Sequence, residues 1–131
     1  MVSLLLYALA CCLPALEFQK GLTPESKWGA EVLAIGWSGI FAGVFGWYAN
    51  PFWALGLLCA QIQKPIPAAI AGAISLAIGC TTFWIIGRVL PGDEGGVTTV
   101  TVTRLLPGCY VWLASLAAIP LAAIVHSSTK R

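Results

Sequence analysis

Apolar residues fall in four long runs separated by short polar connectors. The runs cover about residues 2–18, 32–60, 66–90 and 109–125. Runs of this length with almost no charge predict transmembrane helices. The expected fold is therefore an all-α integral membrane protein, a single domain over 1–131 built as a bundle of four transmembrane helices. The second run has 29 residues, which at about 1.5 Å each would make a helix of roughly 43 Å, longer than a hydrocarbon core of about 30 Å. It must tilt or bend, and Asn50-Pro51 is the expected bend. In the first connector, Thr23-Pro24-Glu25 has the pattern of a helix start. The connector between the third and fourth runs holds VTTVTVTRLL, whose alternating Val and Thr predict a short strand-like loop at the membrane surface.

Within the second run, Gly36, Gly39, Gly43, Gly46 and Asn50 recur at three- and four-residue intervals, one stripe of a helix. Gly39-x-x-x-Gly43 is a close-packing pattern of membrane helices. The third run carries a matching row, Ala68, Gly72, Ser75, Gly79 and Thr82. A hairpin folded about Lys64 would set the two rows face to face as a helix-packing seam. Asn50 would then lie near Ser75, Gly79 and Thr82, as interhelical glue, and could cap the Trp47 carbonyl freed by Pro51. Ala114, Ala118 and Ala122 in the fourth run could dock on the same core, with Pro120 bending that helix.

Composition sharpens the membrane reading. The chain is 59% hydrophobic and only 9% charged, with a net charge of +2. Its few basic residues are scattered, which gives no footprint for nucleic acid. The five cysteines, Cys11, Cys12, Cys59, Cys80 and Cys109, show no C-x-x-C spacing, and the one histidine, His126, is remote from them. They read as reduced, small apolar residues, so no metal and no cofactor is expected. Lys and Arg divide three against four between the two sides of a four-span topology. The acid-free side has the shorter loop and the basic tail, so both termini are expected on the cytoplasmic face.

Candidate chemistry is sparse. Glu17, Glu31 and Arg88 stand at the ends of runs, where snorkelling is the default. Asp93-Glu94 could hold a cation but reads as a solvated turn, and no nucleophile with a base is evident, so no enzyme and no catalytic residue is expected. Trp37, Trp47, Trp53, Trp84 and Trp112 would offer aromatic faces to lipid or a partner. Two functional readings follow. The first is a non-enzymatic membrane protein acting by association with a protein partner or a second copy, as an accessory or assembly subunit or an immunity-type protein. The alternative is a small passive channel or small-solute carrier with a polar path along Asn50, Ser75, Thr81 and Thr82.

The segment GWSGIFAGVFGWYANPFWALGLL, together with LPGDEGG and LLPGCYVWLAS, resembles small bacterial four-span inner-membrane proteins with a W-Y-A-N-P segment. That resemblance implies a bacterial inner (plasma) membrane location and a four-helix bundle, and brings no activity with it. GCTTFW, Gly79 to Trp84, is similar over a few residues to the Thr-Thr-Phe run of four-span fluoride channels. Their arginine-containing glycine-rich motif is absent here, so no function is carried over.

Overall fold

The fold of the chain, taken from a computed structural model, is described for residues 1–92 and 98–129. Asp93-Glu94, Lys130, Arg131 and the His126 side chain lie outside the described residues. The order of elements is α1 (Val2–Cys11), β1 (Pro14–Lys20), β2 (Thr23–Trp28), α2 (Gly29–Ile35), 3₁₀ segments at Gly36–Ala42 and Gly46–Tyr48, α3 (Ala49–Gln61), α4 (Pro65–Cys80), a 3₁₀ segment at Thr81–Ile85, β3 (Val89–Pro91), β4 (Thr99–Leu105) and α5 (Pro107–Thr129).

This corrects the all-α four-helix bundle. The chain folds as four helices, α1, α3, α4 and α5, capped at one end by a four-stranded antiparallel sheet of order β2-β1-β4-β3. Among the described residues, only Pro65–Ile85 and Pro107–Val125 are long and apolar enough to cross a membrane. The run over 2–18 fails as a span because Leu16-Glu17-Phe18-Gln19-Lys20 alternates apolar and polar, a strand period, after Pro14 has ended the helical pattern. Thr23 starts no helix. Its hydroxyl donates to the Lys20 carbonyl (3.0 Å) inside the β1–β2 hairpin. The helix begins instead at Gly29, where the Glu31 carboxylate accepts the Trp28 backbone N–H (2.8 Å). Pro24 and Pro91 sit in β2 and β3, the two edge strands, where one side of the ladder has no partner to lose.

The run over 32–60 is also broken. Its glycines interrupt the α-helix after Ile35 into 3₁₀ turns, and Gly43 adopts a left-handed conformation (φ +67°) that side-chain-bearing residues resist. The Gly43 carbonyl accepts from Arg88 Nη1 (3.1 Å), which ties this segment to the start of β3. Asn50-Pro51 does not bend a long helix. Pro51 lies in the first turn of α3, where its missing N–H would have had no intrahelical partner.

Two cores result. One joins α3, α4 and α5 through Trp53, Ala68, Leu113, Leu116 and Ile119. The other seals the sheet to the helix ends through Ala15, Leu16, Ile85, Val102, Leu105 and Cys109. α4 presents its small residues to both neighbours. Gly56 of α3 meets the backbone of Ala68 and Gly72, where an added Cβ would lie 3.4 Å from Ala68 O and 3.3 Å from Gly72 N. On its other side Gly72 takes the Pro120 ring of α5, 2.6 Å from where a Cβ would stand. α5 packs with Leu113, Leu116, Ile119 and Ala123; Ala114 and Ala122 are exposed, which corrects the alanine face expected there.

Candidate functional site

Where the sheet meets the bundle, the chain forms a half-open cavity of about 110 Å³. Its walls come from α1 (Tyr7, Cys11), α2 (Val32, Leu33), the turn before α3 (Val44, Trp47), Asn50, the 3₁₀ end of α4 (Thr82, Ile85) and the start of α5 (Cys109, Trp112). The local sequence explains why these meet. The glycine-rich breaks between Gly36 and Gly46 turn the chain over the bundle end, and Pro51 restarts a helix there with Asn50 in its first turn.

Asn50 organises the site. Its Oδ1 accepts from the Tyr7 hydroxyl (3.0 Å) and from Trp112 Nε1 (3.0 Å), so one amide oxygen joins α1, α3 and α5. One turn deeper, Trp53 stacks on Tyr7 with ring centroids 4.1 Å apart and donates to Ser3 Oγ (2.8 Å). Ser3 Oγ in turn donates to the Ser115 carbonyl (2.7 Å). Trp47 Nε1 donates to the Leu33 carbonyl (2.7 Å), fixing the cavity's outer wall. Every indole N–H of these three rings is thus spent inside the protein; Trp53 is buried, which corrects the aromatic face expected there, whereas Trp47 and Trp112 are half-buried and line the cavity. Trp37 and Trp84 are exposed, as is Trp28.

The residues of the expected seam are distributed rather than aligned. Gly36 packs under the Trp47 ring, Gly39 faces the Val44 carbonyl within its own turn, and Gly43 lies beside Arg88. None of these three faces α4, because they are not on an α-helix. Gly46 abuts Thr82, and Gly79 faces Leu116 and Leu113 of α5. Ser75 is fully buried and donates to the Ala49 carbonyl (2.8 Å), next to Asn50 but without bonding it. Ala68 is buried against α3. Of the four residues of the expected polar path, Asn50 and Thr82 share the cavity wall, whereas Ser75 bonds α3 and Thr81 bonds its own helix at Ile78 O (2.6 Å).

Tyr7 and Trp112, the actual partners of Asn50, are 43 and 62 residues away in the chain. No local spacing could pair them with it. The available signal was chemical: a tyrosine and a tryptophan inside apolar runs each need an acceptor.

A second, wider groove lies between the sheet face and the Gly36–Ala42 segment, with Lys20, Lys27 and Glu25 on its rim. On the outer side of the sheet, Arg104 grips Glu17 through two bonds (3.1 and 2.9 Å), and Thr103 donates to the same carboxylate (3.0 Å). The guanidinium hydrogen bond, helped by Thr103, holds the Glu17 carboxyl below the usual carboxylate range. Among the described residues, no three His, Cys, Asp or Glu side chains cluster as metal ligands. The cavity's side-chain polar atoms are an amide, hydroxyls, indole N–H groups and thiols. Such groups donate and accept hydrogen bonds without needing to exchange a proton. Comparison with protein families, curated proteins and solved structures returned no match.

Proposed function

We propose that this chain is a non-catalytic membrane protein that works by association, an accessory or assembly subunit whose bundle lies in the bilayer and whose sheet stands at its surface. The observation that carries this reading is the placement of charge. Among the described residues, Glu17, Lys20, Glu25, Lys27, Glu31, Arg88 and Arg104 all belong to the sheet, to α2 or to the segment entering β3. Lys64 alone sits at the opposite end, in the α3–α4 turn. Between these ends the helices carry no charge and expose Leu55, Leu58, Ile66, Ile70, Ile74, Leu121 and Ile124. Water disfavours so large an apolar surface, whereas lipid accepts it.

The 21 residues of Pro65–Ile85 would reach about 32 Å, a fair match to a hydrocarbon core. Trp28, Trp37, Phe41, Trp84 and Tyr110 are exposed on segments that meet at the sheet end, the level where an aromatic belt belongs. A channel draws support only from Asn50 and Thr82, since Ser75 and Thr81 bond backbone carbonyls.

Expression at native level, followed by alkaline carbonate washing, mild-detergent extraction and native mass spectrometry, tests the proposal. The chain is expected to stay with the membrane pellet and to fly as a stoichiometric complex, with itself or with another subunit. Release by carbonate, or a bare monomer under conditions that preserve known complexes, overturns it.

A further inference from the structure

The hydrogen bonding of Asn50 leaves one side of its amide unused. An indole N–H only donates, so the bond from Trp112 Nε1 requires Oδ1 on that side and fixes which way the amide points. Tyr7 shares the same oxygen. The two N–H bonds of Nδ2 are therefore turned away from both rings, on a residue that lines the cavity, and they meet no protein acceptor among the described residues. Thr82, on the same wall, likewise keeps a hydroxyl with no protein partner among the described residues. Neither group is cut off from solvent, so a guest that brings an acceptor into the pocket takes the place of water on them.

The rest of the wall defines that acceptor's carrier. Val32, Leu33, Val44 and Ile85 are apolar, and the rings of Tyr7, Trp47 and Trp112 supply flat faces. The lining holds no carboxylate, lysine or arginine to balance a charged guest. The free volume of about 110 Å³ is of the order of an engineered apolar cavity that takes up benzene, about 150 Å³.

We propose that this cavity is a binding site for one small, uncharged, flat-ringed molecule bearing a carbonyl, whose oxygen accepts from Asn50 Nδ2. The site is independent of the association role. It would stand if the chain proved monomeric, and would fall without affecting that role.

Asn50 is the only asparagine in the chain, so labelling with ¹⁵N-asparagine gives a single pair of side-chain N–H resonances. The full chain in lipid nanodiscs is titrated with acetophenone and, separately, with ethylbenzene, which has nearly the same shape and no oxygen. Partition into empty discs is subtracted. Acetophenone is expected to move the Asn50 N–H resonances downfield, saturably, and to bind about five- to tenfold more tightly than ethylbenzene, the worth of one hydrogen bond. Asn50→Leu is expected to bring the two affinities within about twofold. Because that variant also removes a structural acceptor, the wild-type titration decides alone if it fails to fold. Resonances that do not move, equal affinities in the wild type, or Asn50 N–H contacts to water alone at saturating acetophenone each overturn the site.

Discussion

Asn50 shows how one side chain can settle the geometry of several elements. Its oxygen is the shared acceptor for Tyr7 and Trp112, and neither donor has another hydrogen-bond acceptor among the described residues. Asn50→Leu is expected to lower stability by about 1–3 kcal/mol, because two sequestered donors lose their acceptor. Detergent-solubilised thermal melts followed by tryptophan fluorescence would measure this. Trp112→Phe combined with Asn50→Leu should cost less than the sum of the two single changes, since the pair shares one bond. Glu17 makes a second prediction at this scale. Arg104 and Thr103 hold its folded-state carboxyl below the usual range, so the folded state binds a proton there less readily than the unfolded chain. The resulting stabilisation is fully present above the unfolded value, near 4.3, and is lost as pH falls through the lower folded value. Melts between pH 7 and pH 3 should show this acid-side loss, and Glu17→Gln should flatten it. An unchanged profile in that variant would remove the ion pair from the account.

Among the elements, the α4–α5 contact depends on a notch for a proline. A Cβ on Gly72 would stand 2.6 Å from Pro120 Cδ and 3.0 Å from Ile119 Cγ2. Gly72→Ala is thus expected to destabilise by about 1–3 kcal/mol, the usual cost of overpacking. Gly56→Ala, whose nearest contact would be 3.2 Å, should cost less; the same melts rank the two, and the reverse order would contradict the packing described. Legibility from sequence followed the range of the interaction. The α3–α4 hairpin about Lys64 is encoded by its short turn, and Gly46 beside Thr82 and Gly56 beside Gly72 lie on that fold line. β4 was visible because Val100-Thr101-Val102-Thr103 alternates without interruption. β1 was hidden because Leu16-Glu17-Phe18 continues an apolar run that reads as helix up to Leu13. The glycine stripe misled for a different reason. Spacing of three and four presupposes an α-helix, and the same glycines are what break it into 3₁₀ turns.

At the scale of the whole molecule, the charges of the described residues are sorted along one axis, from the sheet to the Lys64 turn. If the bundle lies in a bilayer, Lys20 and Lys27 must face one compartment and Lys64 the other. A membrane-impermeant amine reagent applied to sealed vesicles should modify either the Lys20/Lys27 pair or Lys64, never both, and the remaining site should react once the vesicles are opened. Mapping by peptide mass spectrometry reads the result. Modification of all three from one side would place the bundle outside the bilayer. The first and third connectors, which a four-span chain would place on one side, meet instead in a single sheet. That they pair with each other as β1 and β4 was not legible from sequence, because 86 residues separate Thr103 from Glu17.

That central pairing also dictates an order of construction. β1 can find β2 as soon as residue 28 is made, yet its other edge waits for residues 99–105. Throughout synthesis of α3 and α4, the nascent hairpin therefore carries an open hydrogen-bonding edge with no native match. Long-range strand pairing is slow even in a finished chain. An early-terminated product ending before β4 would leave that edge permanently unsatisfied, which makes such truncated chains more prone to aggregate than the finished one.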